Sequence, residues 1–196
     1  MGRHIIKTRD KIIYEALDLF SSRGYSDVTV ENIAQRVGIK APSIYKHFKS
    51  KDEIFACIIE LVKENFSREI ESIAKECSKE DELYIKLEKF GLQIFKYFLH
   101  DEFMSKARKM LSLEIYKNGE IMTLYIYQYI TNPVEHHKDL INYLGIAEED
   151  ALSLAFAFYS PVYLALKICD SDPNKEEEMY RMLSNTYSKF NKLVHI

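Results

Sequence analysis

No stretch of this 196-residue chain approaches the roughly 18 consecutive apolar residues of a membrane-spanning helix. The opening MGRHIIKTRDK has no apolar run of the secretion-signal kind. The expectation is a cytoplasmic protein with no membrane partner. Cysteine is scarce: Cys57, Cys77 and Cys169 are odd in number, far apart and contain no CxxC pair, which argues against a disulfide framework or a zinc site. Cys57, among Phe55, Ile58 and Ile59, reads as an inert core thiol rather than a redox sensor. There is no Gly-rich phosphate loop, no GxSxG and no HExxH, so nothing marks the chain as an enzyme or calls for a cofactor. The nearest approach to a metal cluster is Glu135-His136-His137 with Asp139. Adjacent histidines diverge by about 100° on a helix, however, and ligands sharing a face need spacings of three or four. No metal is expected. Internal repeats and low-complexity stretches are likewise missing.

Net charge is also small, −3, which taken alone argues against a nucleic-acid binder. Its distribution reverses that conclusion. Through Lys51 there are ten Lys/Arg against five Asp/Glu, while the rest of the chain carries 17 against 25. A basic head can neutralise phosphates, and an acidic body keeps nucleic acid off the remaining surface.

Within that head the segment VGIKAPSIYKHFKSKDEIF, from Val37 to Phe55, is the most informative. Upstream of it, Thr29 caps a short helix with Glu31 in its first turn and Ile33, Ala34 and Val37 facing inward. Gly38 then permits the positive φ of a tight turn. In the next helix Ile44 and Phe48, four apart, share one face, while Ser43, Lys46 and His47 project elsewhere. Two short helices joined this way form a helix-turn-helix, whose second member reads a DNA groove. Lys40 cannot cap that second helix, and Pro42 suits a first turn, so its start is set only to within a residue or two. A preceding helix runs from Ile5 to Arg23 and stops at Gly24. Arg3, Lys7, Arg9 and Lys11 on its N-terminal face are either phosphate ligands or solvated charge.

The rest reads as helix throughout. Ser50 and Glu53 form an SxxE capping box, and Ile54, Phe55, Ile58, Val62, Phe66, Ile70 and Ile73 continue at helical spacing to about Cys77. Further helices follow around Leu83 to Phe98 and Met104 to Leu111. Glu120 to Thr131 alternates like a strand but is read as helix, since a lone strand leaves its backbone unpaired. Another segment lies between Pro133 and Gly145, and two long ones run from Ala147 to Cys169, with a kink expected at Pro161, and from Asn174 to Val194. The first of this last pair is apolar nearly all round and the second carries a near-heptad stripe, which suits a four-helix interface between two subunits. Leu152, Phe156, Tyr163, Met179, Leu183, Tyr187 and Phe190 are its expected members.

From Asp52 onward lie eleven of the fourteen tyrosines and nine of the eleven phenylalanines. Aromatic faces with polar tips suit a pocket for a mostly apolar small molecule; Phe95, Met110, Tyr116, Tyr125, Tyr129 and Tyr159 are the candidates. The fold class expected is all-α, with a helix-turn-helix head over residues 1–50 and a helical effector-binding and dimerisation domain over 51–196.

Thr29, Ile33-Ala34, Gly38, Tyr45-Lys46-His47-Phe48 and Lys51-Asp52 together resemble the DNA-binding region of the TetR family of bacterial regulators. The resemblance is close from Arg9 to Leu61 and departs from the family pattern at Lys40-Ala41-Pro42-Ser43, where many members have Ser-Lys-Gly-Thr. It implies DNA contacts by Thr29, Lys40, Ala41, Pro42, Ser43, Tyr45, Lys46, His47 and Lys51, the last favoured for phosphate by its place at a helix N-terminus. It also implies a homodimer acting as a repressor on a palindromic double-stranded DNA operator and released by a small-molecule effector. The alternative is a helical small-molecule-binding protein or enzyme without sequence-specific DNA binding. Salt-sensitive, competitor-resistant DNA binding separates the two.

Overall fold

The structure, a computed structural model, describes residues 7–77, 79, 83–114, 119, 123 and 148–194. Among them are eight α-helices and no strand, the all-α fold expected. Of the helices expected over 120–131 and 133–145, only Thr123 is among the described residues.

Helix α1, Thr8–Arg23, buries Ile12, Ile13, Ala16, Leu17, Leu19 and Phe20. It ends at Gly24, whose φ of 87° turns the chain while its N–H bonds the Phe20 carbonyl at 3.0 Å. Helix α2, Val30–Val37, begins at a reciprocal cap: the Asn32 N–H donates to the Thr29 hydroxyl and the Thr29 N–H to the Asn32 side-chain oxygen. Gly38 closes it in the left-handed region at φ 80°, with its own N–H and that of Ile39 both on the Ala34 carbonyl. A Cβ there would meet no atom within 4 Å, so the requirement for glycine comes from the backbone angle and not from crowding. Helix α3, Ala41–Ile44, is a single turn entered from an extended Lys40, with Pro42 in it. A turn follows in which the N–H groups of His47 and Phe48 both return to the Ile44 carbonyl.

Helix α4, Lys51–Cys77, is about 40 Å long at 1.5 Å per residue. Ser50 accepts from the Glu53 N–H, and the Glu53 carboxylate accepts from the Lys49 N–H, one residue earlier than a standard capping box. Helices α5 (Leu83–His100), α6 (Glu102–Glu114) and α7 (Glu148–Ser171) follow; then a 3₁₀ turn, Pro173–Lys175, leads into α8 (Glu176–Val194). Pro161 lies inside α7 without ending it, and the Ser160 hydroxyl donates to the Phe156 carbonyl beside it at 2.7 Å.

Two compact units result, dividing elsewhere than after residue 50. One joins α1 to α3 and α4 through Phe66 with α6; the other joins the remainder of α4 with α5, α7 and α8. In the first, α6 lies along α1 and buries Phe103, Met104, Ala107, Met110 and Leu111. In the second, α5, α7 and α8 pack pairwise. Tyr187, 1 % exposed, donates its hydroxyl to the Phe158 carbonyl at 3.1 Å, with its ring 4.6 Å from that of Phe158.

This packing corrects the expected subunit interface. Met179, Leu183 and Tyr187 are buried inside their own unit, because the apolar stripe of α8 closes on α5 and α7 of the same chain. Among the described residues, the large apolar side chains that α7 and α8 leave exposed are Phe156, Leu164 and Met182, each more than half accessible. Tyr163 is half-buried, and the side chains of Leu152 and Phe190 lie outside the described residues.

Candidate nucleic-acid interface

The helix-turn-helix divides its side chains cleanly. Ile33, Ala34, Val37, Ile44 and Phe48 are buried, the last two at 0 % and 2 % exposure. Between Ile44 and Phe48 the chain lifts Tyr45, Lys46 and His47 to the surface. Thr29, Lys40 and Pro42 are exposed and Ala41 and Ser43 half-exposed. All nine residues expected at DNA therefore belong to one compact unit, on or beside α2, α3 and the start of α4.

The basic groups of this unit fall into two sets. Lys40, Lys46 and Lys49 are exposed, and among the described residues none of them forms an ion pair. Lys11, Arg36, Arg9 and Lys51 are instead engaged by groups of their own unit. The Lys11 ammonium donates to the Val37 carbonyl at 2.8 Å, capping the C-terminus of α2. Arg36 pairs with Glu15 at 3.1 Å and Asp18 at 2.6 Å. Arg9 lies 5.0 Å from the Phe48 ring centroid and donates to the Cys57 sulfur at 3.2 Å. Cys57 is half-buried, whereas Cys77 and Cys169 are buried.

Lys51, read from the sequence as a phosphate ligand, has its ammonium on the carbonyls of Tyr25 and Val28, both at 2.8 Å, and 4.1 Å from the Tyr25 ring centroid. Next to it Asp52 accepts a hydrogen bond from the Tyr25 hydroxyl. Burial, followed by that bond, pushes the phenol well above its ordinary range, while the same bond holds the Asp52 carboxyl below its own. The loop between α1 and α2 is held from another side by α6, whose buried Glu114 accepts from the Ser26 hydroxyl at 2.9 Å. A second tie joins the same helices. Asp18 takes both Arg36 of α2 and, at 2.8 Å, Lys106 of α6. The Lys106 hydrogen bond is the chief cause of its depressed carboxyl pKa. Sequence periodicity carries no sign of these ties, since each joins residues at least 18 positions apart.

The expected effector residues are partly placed. Phe95 and Tyr159 are buried in the second unit and Met110 in the first; Tyr116, Tyr125 and Tyr129 lie outside the described residues. Among the described residues, each unit carries an open cleft. One of about 270 Å³ lies among Tyr14, Arg36, Phe103 and Lys106 in the first unit. The other, about 340 Å³, lies among Ile85, Leu92, Lys96 and Tyr180 in the second. Neither is lined by an expected effector residue. Among the described residues no group of three His, Cys, Asp or Glu is placed to hold a metal, and the Glu135 to Asp139 cluster lies outside them. No helix among them is long and apolar enough to cross a membrane.

Comparison with known proteins bears on the same region. Residues 12–58 match the family model described as bacterial regulatory proteins, tetR family. The biofilm operon icaADBC HTH-type negative transcriptional regulator IcaR of Staphylococcus aureus is 49 % identical over 47 residues, 24 % of this chain and 25 % of that protein. The chain thus spans only about a quarter to a third of the length of the curated relatives it matches. Solved structures extend the likeness of fold. A TetR-family transcriptional regulator from Mesorhizobium loti superposes with a TM-score of 0.75 at 18 % identity, covering 98 % of both chains. The regulator FadR of Bacillus subtilis, solved with stearoyl-CoA, gives 0.66 at 19 % identity, covering 92 % of this chain and 96 % of that one.

Proposed function

We propose that the chain, whose residues 12–58 match the family model for bacterial regulatory proteins of the tetR family, is a ligand-responsive transcriptional regulator: a homodimeric repressor that leaves a palindromic operator when a small, mostly apolar effector binds. The observation that carries this reading is the partition at the helix-turn-helix. Exposed Lys40, Tyr45, Lys46 and His47 stand on a frame anchored by buried Ile44 and Phe48, the pattern required when one helix face packs and the other meets base edges and phosphates. Thr29, Ala41, Pro42 and Ser43 complete the contact surface, with the Thr29 hydroxyl also serving as the cap of α2.

Two heads reading successive major-groove faces need half-sites about 34–36 Å apart or a multiple of that. A second copy supplies the other head. Phe156 and Leu164 of α7 with Met182 of α8 are the side chains on which that copy packs, in place of the buried stripe. The aromatic-rich second unit holds the effector; a protein of similar fold, FadR of Bacillus subtilis, is solved in complex with stearoyl-CoA. Helix α4 contributes to both units, which makes it the element through which effector binding changes the head. It acts only to the extent that the effector prefers one state over the other.

The test is an electrophoretic shift on the DNA upstream of the protein's own gene, at several salt concentrations and with excess nonspecific competitor. A shift that persists against competitor supports sequence-specific regulation. Its disappearance assigns the chain to the small-molecule-binding alternative.

A further inference from the structure

The ammonium of Lys51 is bound on three sides by the unit to which it belongs. We infer that Lys51 is a positioning residue of the DNA reader and not a phosphate ligand, setting the loop that launches α2. The inference rests on the DNA-binding reading above.

The two carbonyls on Lys51 belong to Tyr25 and Val28, which bracket the turn between α1 and α2. Val28 is 1 % exposed and immediately precedes Thr29, the N-cap of α2. With the Tyr25 ring 4.1 Å away, the cation gains a π face as well. That ring is fixed in turn by Phe20, Phe55 and the hydroxyl bond to Asp52. To reach a phosphate, Lys51 would have to abandon two carbonyls and the ring. One charge-assisted bond would be formed where three contacts are lost, and the Tyr25 carbonyl would keep only the Val28 N–H at 3.4 Å. Lys40, Lys46 and Lys49 face no such loss, being exposed and without an ion pair among the described residues. The loop carbonyls therefore fix where Thr29 and α2 begin, and through the Gly38 turn where Tyr45, Lys46 and His47 stand. Counterion release counts cations that neutralise phosphate, so Lys51 adds little to salt dependence while contributing to specific affinity.

The experiment measures fluorescence anisotropy of the full chain on two probes: a mixed-sequence 30-base-pair duplex and a duplex from upstream of the protein's own gene. Salt is varied, and wild type is compared with Lys51→Met, Lys51→Gln and Lys46→Met. Lys46→Met is expected to lower the salt slope by about one on both probes. Lys51→Met is expected to keep the wild-type slope on both while losing about tenfold or more on the upstream duplex alone. Lys51→Gln, neutral but still a donor to carbonyls, recovers part of that loss. A slope lowered by about one in Lys51→Met, with both probes weakened equally and no recovery by Gln, overturns the inference. If Lys51→Met does not fold, the slope of Lys51→Gln decides by the same criterion. Should wild type bind both probes alike, the operator reading fails, yet the slope on the mixed-sequence duplex still judges Lys51. Wild type that binds neither overturns both.

Discussion

Replacing Gly91 with alanine tests the packing of the second unit at its tightest point. Gly91 of α5 faces the ring of Tyr187 on α8, and a Cβ built on it would lie 2.5 Å from Cε2 and Cζ and 2.7 Å from the hydroxyl oxygen. Carbon contacts settle at about 3.5–4.0 Å, so the ring must retreat by about 1 Å. It has no room to do so, being 1 % exposed, stacked on Phe158 and bonded to the Phe158 carbonyl. Overpacking of this kind costs about 1–3 kcal/mol, and loss of the hydroxyl bond adds about 1 kcal/mol. The better helix propensity of alanine returns up to about 1 kcal/mol. Gly91→Ala should therefore destabilise the second unit by about 1–3 kcal/mol net. With two compact units, the urea transition must be followed by two probes. Far-UV circular dichroism and the near-UV tyrosine signal serve, the chain having no tryptophan. Tyr187→Leu removes the obstructing ring, so adding Gly91→Ala to that background should be neutral or slightly stabilising, a coupling read from the double-mutant cycle. A Gly91→Ala single variant as stable as wild type refutes the reasoning.

Tyr45→Ala is expected to weaken binding to the upstream duplex while leaving the oligomeric state unchanged, since Tyr45 is a surface side chain of the head; conversion to monomer on light scattering would show that the two roles are wrongly assigned. Leu164→Asp with Met182→Asp places charge on two of the three exposed apolar positions of this face and is expected to give folded monomers that lose operator binding; a dimer that survives both changes removes this face from the interface. The Asp18 carboxyl is held below the ordinary aspartate value of 3.8, chiefly through the Lys106 hydrogen bond. Its stabilisation is complete above about 3.8 and is lost as pH falls through the lower folded-state value. Asp18→Asn should accordingly melt below wild type at neutral pH and converge with it in strong acid; a difference that persists unchanged at low pH would mean that the carboxylate charge is not what matters.

How much was legible in the sequence depended on how local the deciding interaction is. The Thr29 cap, the Gly38 turn and the start of α4 after Ser50 are settled by groups within five residues of one another, and each could be read directly. The start of α3 was left open because no side-chain cap marks it. The structure places it at Ala41, where an extended Lys40 and Pro42 in the first turn suffice. Periodicity also showed that α8 carries an apolar stripe through Met179, Leu183 and Tyr187. A stripe records that a partner exists and not which one, and the burial of these residues within one chain assigns it to α5 and α7. Lys51 marks the same boundary. Its charge and its place in the first turn of α4 suit a phosphate, but equally suit two loop carbonyls 23 and 26 residues away.

The sequence by itself determined that the chain is helical, that its head is basic and that Tyr45, Lys46 and His47 lie between two buried anchors, because helix periodicity, caps and charge are properties of neighbouring residues. Tertiary structure alone decided which cations remain exposed, which apolar faces are left for another molecule and how α6 ties into the head through Glu114 and Lys106. Those outcomes depend on side chains far apart in sequence competing for the same partner, and only folding brings the competitors together.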